Sequence, residues 1–134
     1  MGVTPVEILI VEDSEEMIWS VANVLEKAGF SVDAVMTGED ALERLDKFPD
    51  TALVILNYLL PDMSDLSVMK KFRENGCNAE VIVISAYSES HDYFLKNGAF
   101  AFLEKPFDIN ELVELCRQAL NGRTTLTGRS SKNP

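Results

Sequence analysis

Five short apolar runs alternate with five stretches of helical spacing, and that alternation is what most constrains the fold. The runs are Val6–Val11, Ser31–Val35, Leu53–Leu56, Val81–Ile84 and Ala99–Leu103. Those in the middle are almost unbroken Val, Ile and Leu, the pattern of strands covered on both faces. Strict alternation of such strands with helices predicts a parallel sheet with crossover helices. Right-handed crossovers then favour a doubly wound, flavodoxin-like α/β fold with five helices and strand order 2-1-3-4-5.

The helices carry their own start and stop signals. Ser14 is an expected N-cap and Gly29 a stop, with Met17, Val21, Val24, Leu25 and Ala28 on one stripe between them. Trp19 falls off that stripe. Thr37 and Asp40 predict a second cap, with Ala41, Leu42 and Leu45 facing inward. A third helix is expected over Leu66–Glu74, a fourth over Ser90–Lys96, and a fifth from the Asp108/Glu111 cap to Gly122. The expected division is one domain over residues 1–122 and a polar, aperiodic tail over 123–134.

Charge and composition narrow the function classes. Residues 1–122 hold nine basic against 22 acidic residues, a net −13, which argues against direct binding of nucleic acid. No apolar run approaches the roughly 18 residues of a membrane span. No signal peptide is expected at the N-terminus, and Val6 stands where a myristoylation motif has Ser or Thr. Cys77, Cys116 and the single His91 lack metal-ligand spacing, which fits two reduced thiols in a cytoplasmic protein.

In the expected fold the working site lies at the carboxyl ends of the strands. Glu12 and Asp13 end the first strand, Asn57 the third, and Ser85-Ala86 the fourth. Lys105-Pro106 follows the fifth. Two carboxylates beside an amide oxygen suit Mg²⁺ or Mn²⁺. A hydroxyl and an ammonium nearby suit phosphoryl oxygens.

Together these residues give a specific resemblance over residues 6–121. The segments Ile8–Asp13, Val54–Met63, Val83–Ala86 and Gly98–Phe107 resemble the CheY-like receiver domain of bacterial two-component response regulators. The resemblance implies a Mg²⁺ site at Glu12, Asp13, Asn57 and the Leu59 carbonyl. It implies a switch hydroxyl at Ser85, a small residue at Ala86, a switch aromatic at Phe102, a phosphate-binding Lys105, and a cis bond to Pro106. It also places Asn57 where the family has its phosphate-accepting aspartate. An amide is a very poor nucleophile and cannot form an acyl phosphate. Phosphorylation is therefore not expected, and Mg²⁺ binding is expected to be weak or absent.

Asp65 is a second departure, where the family usually has Gly in a loop of positive φ. Two departures favour natural divergence, while an engineered block of an ordinary phosphorylatable receiver fits the intact remainder. The expected role is phosphate-independent signalling with no catalytic residue, through a histidine kinase, phosphotransfer protein or output domain. Tyr93, Phe102, Leu115 and Gln118 are the candidate partner face. A homodimer through the fourth and fifth helices is a further expectation by analogy. A small Mg²⁺-dependent phosphohydrolase using Asp13 is the alternative from the enzyme class, but Glu12-Asp13 lacks Asp-x-Asp spacing. A flavodoxin-like cofactor carrier would need a phosphate-cradling first turn, and this turn is acidic.

Overall fold

The computed structural model describes residues 6–57, 60, 62–87, 89 and 91–124, with only the backbone considered at 65 and 122–124. Five strands and five helices alternate among them. They are β1 (Ile8–Val11), α1 (Glu15–Lys27), β2 (Val32–Val35), α2 (Gly38–Lys47), β3 (Leu53–Asn57), α3 (Asp65–Glu74), β4 (Glu80–Ser85), α4 (His91–Lys96), β5 (Ala101–Glu104) and α5 (Ile109–Thr124). All paired strands are parallel, in the order β2-β1-β3-β4-β5. The expected architecture is therefore present.

Period-two alternation sorts the strand residues onto two cores. Ile8, Ile10, Leu53, Ile55, Ile82 and Ile84 face one layer, where Val21 and Leu25 of α1 and Leu112, Cys116 and Ala119 of α5 cover them. Leu9, Val11, Val54, Leu56, Val81 and Val83 face the other, against α2, α3 and α4. Every residue of β1, β3 and β4 is buried. That is why these runs show no polar alternation in the sequence.

The caps explain where the helices begin. Ser14 Oγ accepts the Met17 N–H at 3.2 Å, and Thr37 Oγ1 accepts the Asp40 N–H at 3.0 Å. Gly29 follows α1 with φ 102°, a conformation that costs a residue with Cβ. Replacing Ser14 with Ala is expected to cost about 1 kcal/mol, read as a lower urea midpoint with unchanged slope.

Several expected boundaries move. β1 begins at Ile8, not Val6, and β5 at Ala101, not Ala99. Helix α3 begins at Asp65, ahead of Leu66, because Ser64 caps it through the Ser67 N–H at 3.2 Å. Asp65 is thus the first helical residue and needs no positive φ. Positive φ among the described residues falls only on Gly29, Gly76 and Gly98. Gly122 does not close α5, which continues to Thr124. Ser90, expected to start the fourth helix, and residues 125–134 of the expected tail lie outside the described residues.

Both cysteines are free and buried, and burial pushes the Cys116 thiol up to about 12. Among the described residues, no helix is long and apolar enough to cross a membrane.

Candidate functional site at the strand ends

Parallel strands bring their carboxyl ends to one edge of the sheet, and the adjacent order β1-β3-β4-β5 puts four ends side by side. Glu12, Asp13, Asn57, Ser85, Ala86 and Lys105 line one depression there, with Ser14 and Tyr87. Leu59, the remaining expected ligand, lies outside the described residues. Pro106 borders the neighbouring groove with Met17, Phe107 and Ile109. The Lys105–Pro106 bond is cis, as the resemblance implies.

Asn57 occupies the middle of this site and is 7% exposed. Its Nδ2 donates to Asp13 Oδ1 at 3.4 Å, and its Oδ1 accepts from Lys105 Nζ at 3.0 Å. An amide has one donating and one accepting end. Between a carboxylate and an ammonium, only this orientation satisfies both. Asn57 thereby ties the end of β1 to the residue after β5 through β3.

Glu12 is buried and its Oε2 accepts the Ser14 N–H at 3.1 Å. Desolvation raises its carboxyl above the ordinary value and Asp13 adds to the rise, while the Ser14 N–H and the Lys105 ammonium oppose it. A raised folded-state value means that the folded protein holds this proton more tightly than the unfolded chain. Its contribution to stability is fully present below the ordinary value of 4.5 and is lost as pH rises through the folded-state value. Glu12→Gln keeps an acceptor for Ser14 and removes the charge. In chelator it is expected to melt above the parent at pH 7, with the gap closing towards pH 4; equal melting at both pH values would contradict the burial effect.

Two carboxylates and an amide supply part of a Mg²⁺ octahedron. Asn57 Oδ1, however, faces Lys105. Turning it towards a cation would break that bond and aim the NH₂ at an ammonium. As oriented, the cluster fits Mg²⁺ poorly. No group of three or more His, Cys, Asp or Glu among the described residues is placed to hold a metal.

The fourth-strand end is also engaged. Ser85 is buried, its Oγ accepts the Tyr87 N–H at 2.8 Å, and its carbonyl accepts the Lys105 N–H at 2.8 Å. Phe102 lies outside the depression. Its ring meets His91 edge-on at 5.4 Å and stacks with Phe94 at 6.2 Å, joining β5 to α4. Tyr93 is 54% exposed and Gln118 is exposed, whereas Leu115 is half-buried against the α1/α5 core. Trp19 is 70% exposed on α1, as its place off the stripe predicts.

Two features were not found from the sequence. Tyr87 lines the site, yet nothing in its spacing marks it. Asp62 bonds to the start of α2; no local spacing rule reaches across 24 residues.

Residues 8–117 match the response regulator receiver domain family. The chain is 36% identical over 113 residues to the transcriptional regulatory protein DltR of Streptococcus agalactiae, covering 82% of this chain and 50% of that protein. It is 31% identical over 117 residues to the two-component response regulator ORR5 of Oryza sativa, covering 84% and 87%. Against response regulator ArlR of Staphylococcus aureus the identity is 33% over 117 residues, covering 85% and 52%. The chain thus spans about half the length of DltR and ArlR. Among solved structures, the receiver domain of a LuxO-type repressor from Vibrio parahaemolyticus superposes with TM-score 0.81 at 27% identity, over 88% of this chain and 92% of that one. A CheY-like receiver from Methanospirillum hungatei gives 0.81 at 24%, over 90% and 98%, which supports the fold. With the fold, the strand-end cluster and these matches in hand, the chain belongs to the response regulator receiver domain family.

Proposed function

We propose that this chain is a receiver in two-component signalling in which Asn57 takes the place of the phosphate-accepting aspartate. It signals by binding a protein partner and not by taking up phosphate. The observation that carries this is the Asn57 amide, held between Asp13 and Lys105 with both ends used. A nucleophilic carboxylate is missing at that position, and the lysine that would meet phosphoryl oxygens is already occupied.

Receivers work with kinases and output domains. The partner class here is therefore a histidine kinase, a phosphotransfer protein or an output domain. Tyr93, Phe102, Leu115 and Gln118, on α4, β5 and α5, are the proposed contact residues, and a second copy of the chain is a candidate for the same face. Magnesium binding is weak, for want of a third carboxylate.

An amide NMR titration with Mg²⁺ and beryllofluoride tests this, comparing the chain with Asn57→Asp. The variant is expected to shift at Asp13, Ser85 and Lys105 while the parent stays unchanged. Equal shifts in both proteins would remove Asn57 as the block. No shift in either would mean that the site has lost more than its acceptor.

A further inference from the structure

Asp62, just ahead of α3, is fastened to the start of α2, far from it in sequence. Asp62 Oδ1 accepts the Gly38 N–H at 2.8 Å, and its Oδ2 accepts the Glu39 N–H at 2.9 Å. Thr37 Oγ1 takes the Asp40 N–H. Of the four N–H groups that a helix start leaves open, three are met, two of them by another loop. The positive end of the α2 dipole favours a carboxylate there. Asp62 is exposed, so geometry and not burial holds it. The Gly38 N–H first, and then the Glu39 N–H, keep its carboxyl below the ordinary value.

Gly38 supplies a second, independent observation. A Cβ built there would lie 2.4 Å from Met63 Cγ, 2.8 Å from Met63 Sδ and 3.0 Å from Val68 Cγ2. Gly38 has no positive φ that would require glycine. Its bare backbone is the seat on which Met63 rests. Ser64 then caps α3. Three consecutive residues, Asp62, Met63 and Ser64, therefore serve α2, α2 and α3 in turn.

We propose that Asp62 is a positioning residue that latches residues 62–64, just ahead of α3, onto the start of α2, with Gly38 as the seat for Met63. Asp62 follows Asn57 by five positions along the chain, so the latch restrains the chain that leaves the site. Release would loosen these residues and the α2 start together and leave the α1/α5 layer unchanged. The latch does not depend on whether position 57 takes phosphate.

The test uses the full ¹⁵N-labelled chain with Asp62→Ala, Asp62→Asn and Gly38→Ala. In Asp62→Ala, exchange at the Gly38 and Glu39 amides is expected to quicken about tenfold or more. The Met63 amide and the Asn57 side-chain NH₂ are expected to shift with them. Asp62→Asn keeps one acceptor oxygen and is expected to restore protection at one of the two amides. Gly38→Ala is expected to displace the Met63 methyl resonance and quicken Glu39 exchange although Asp62 is intact. Changes confined to residues 38–41, with Met63 and Asn57 unmoved, would reduce Asp62 to an ordinary cap and overturn the latch. If Asp62→Ala fails to fold, the other two variants decide the matter by the same resonances.

Discussion

Asn57→Asp is expected to melt below the parent protein in chelator and above it in Mg²⁺. The substitution removes the Nδ2 donor and puts a carboxylate oxygen where that nitrogen sits, 3.4 Å from Asp13 Oδ1. Glu12 adds a second negative neighbour, and Lys105 at 3.0 Å is an attractive one. The two repulsions outweigh that attraction, and solvent screening leaves a net cost of about 1 kcal/mol. For a domain of this size that lowers the melting temperature by about 4 °C. The third carboxylate also completes an acidic Mg²⁺ site. At a Mg²⁺ concentration about tenfold above the dissociation constant, the gain is roughly 1.4 kcal/mol, enough to reverse the order. The parent is expected to show no comparable shift. A variant more stable than the parent in chelator would mean that Lys105, and not carboxylate repulsion, dominates the site.

Phe94→Ala is expected to be the most destabilising single truncation on the α4 side. Helix α4 has six residues, and Phe94 is its buried one. Its ring is 1% exposed, stacks on Phe102 and meets Tyr93 edge-on at 5.8 Å. So short a helix has little stability of its own and depends on this anchor. Emptying the site costs about 3–4 kcal/mol, or about 12–16 °C in melting temperature. Amide exchange in α4 is expected to rise the most. Tyr93→Ala, one residue away and largely exposed, is expected to stay within about 0.5 kcal/mol of the parent. A loss below about 1 kcal/mol for Phe94→Ala would show that α4 is held elsewhere. The pair also separates stability from binding at the proposed partner face, since Tyr93→Ala leaves the fold intact.

Much of the fold was legible because it rests on local rules. Unbroken Val, Ile and Leu marked β3 and β4, and Ser14 and Thr37 marked helix starts by their side-chain chemistry. The strand ends placed Glu12, Asp13, Asn57, Ser85 and Lys105 together once the strand order followed. The misses have physical causes. Asp65 was expected at positive φ because a glycine is usual there, but Ser64 caps the helix and makes 65 its first residue. Gly122 lies within the final turn of α5, so a glycine alone did not mark its end. The direction of the Asn57 amide depends on charges at positions 13 and 105, and the Asp62 bonds on a contact between two loops. Neither is written in any window of neighbouring residues.

The central claim is that position 57 carries a bridge and not a phosphate acceptor. Intact mass after incubation with acetyl phosphate and Mg²⁺ tests it most directly, with the chain and Asn57→Asp treated in parallel. The account predicts an unmodified parent and a variant that gains one phosphoryl group. A phosphoryl mass on the parent would contradict it and show that another carboxylate of this chain accepts phosphate.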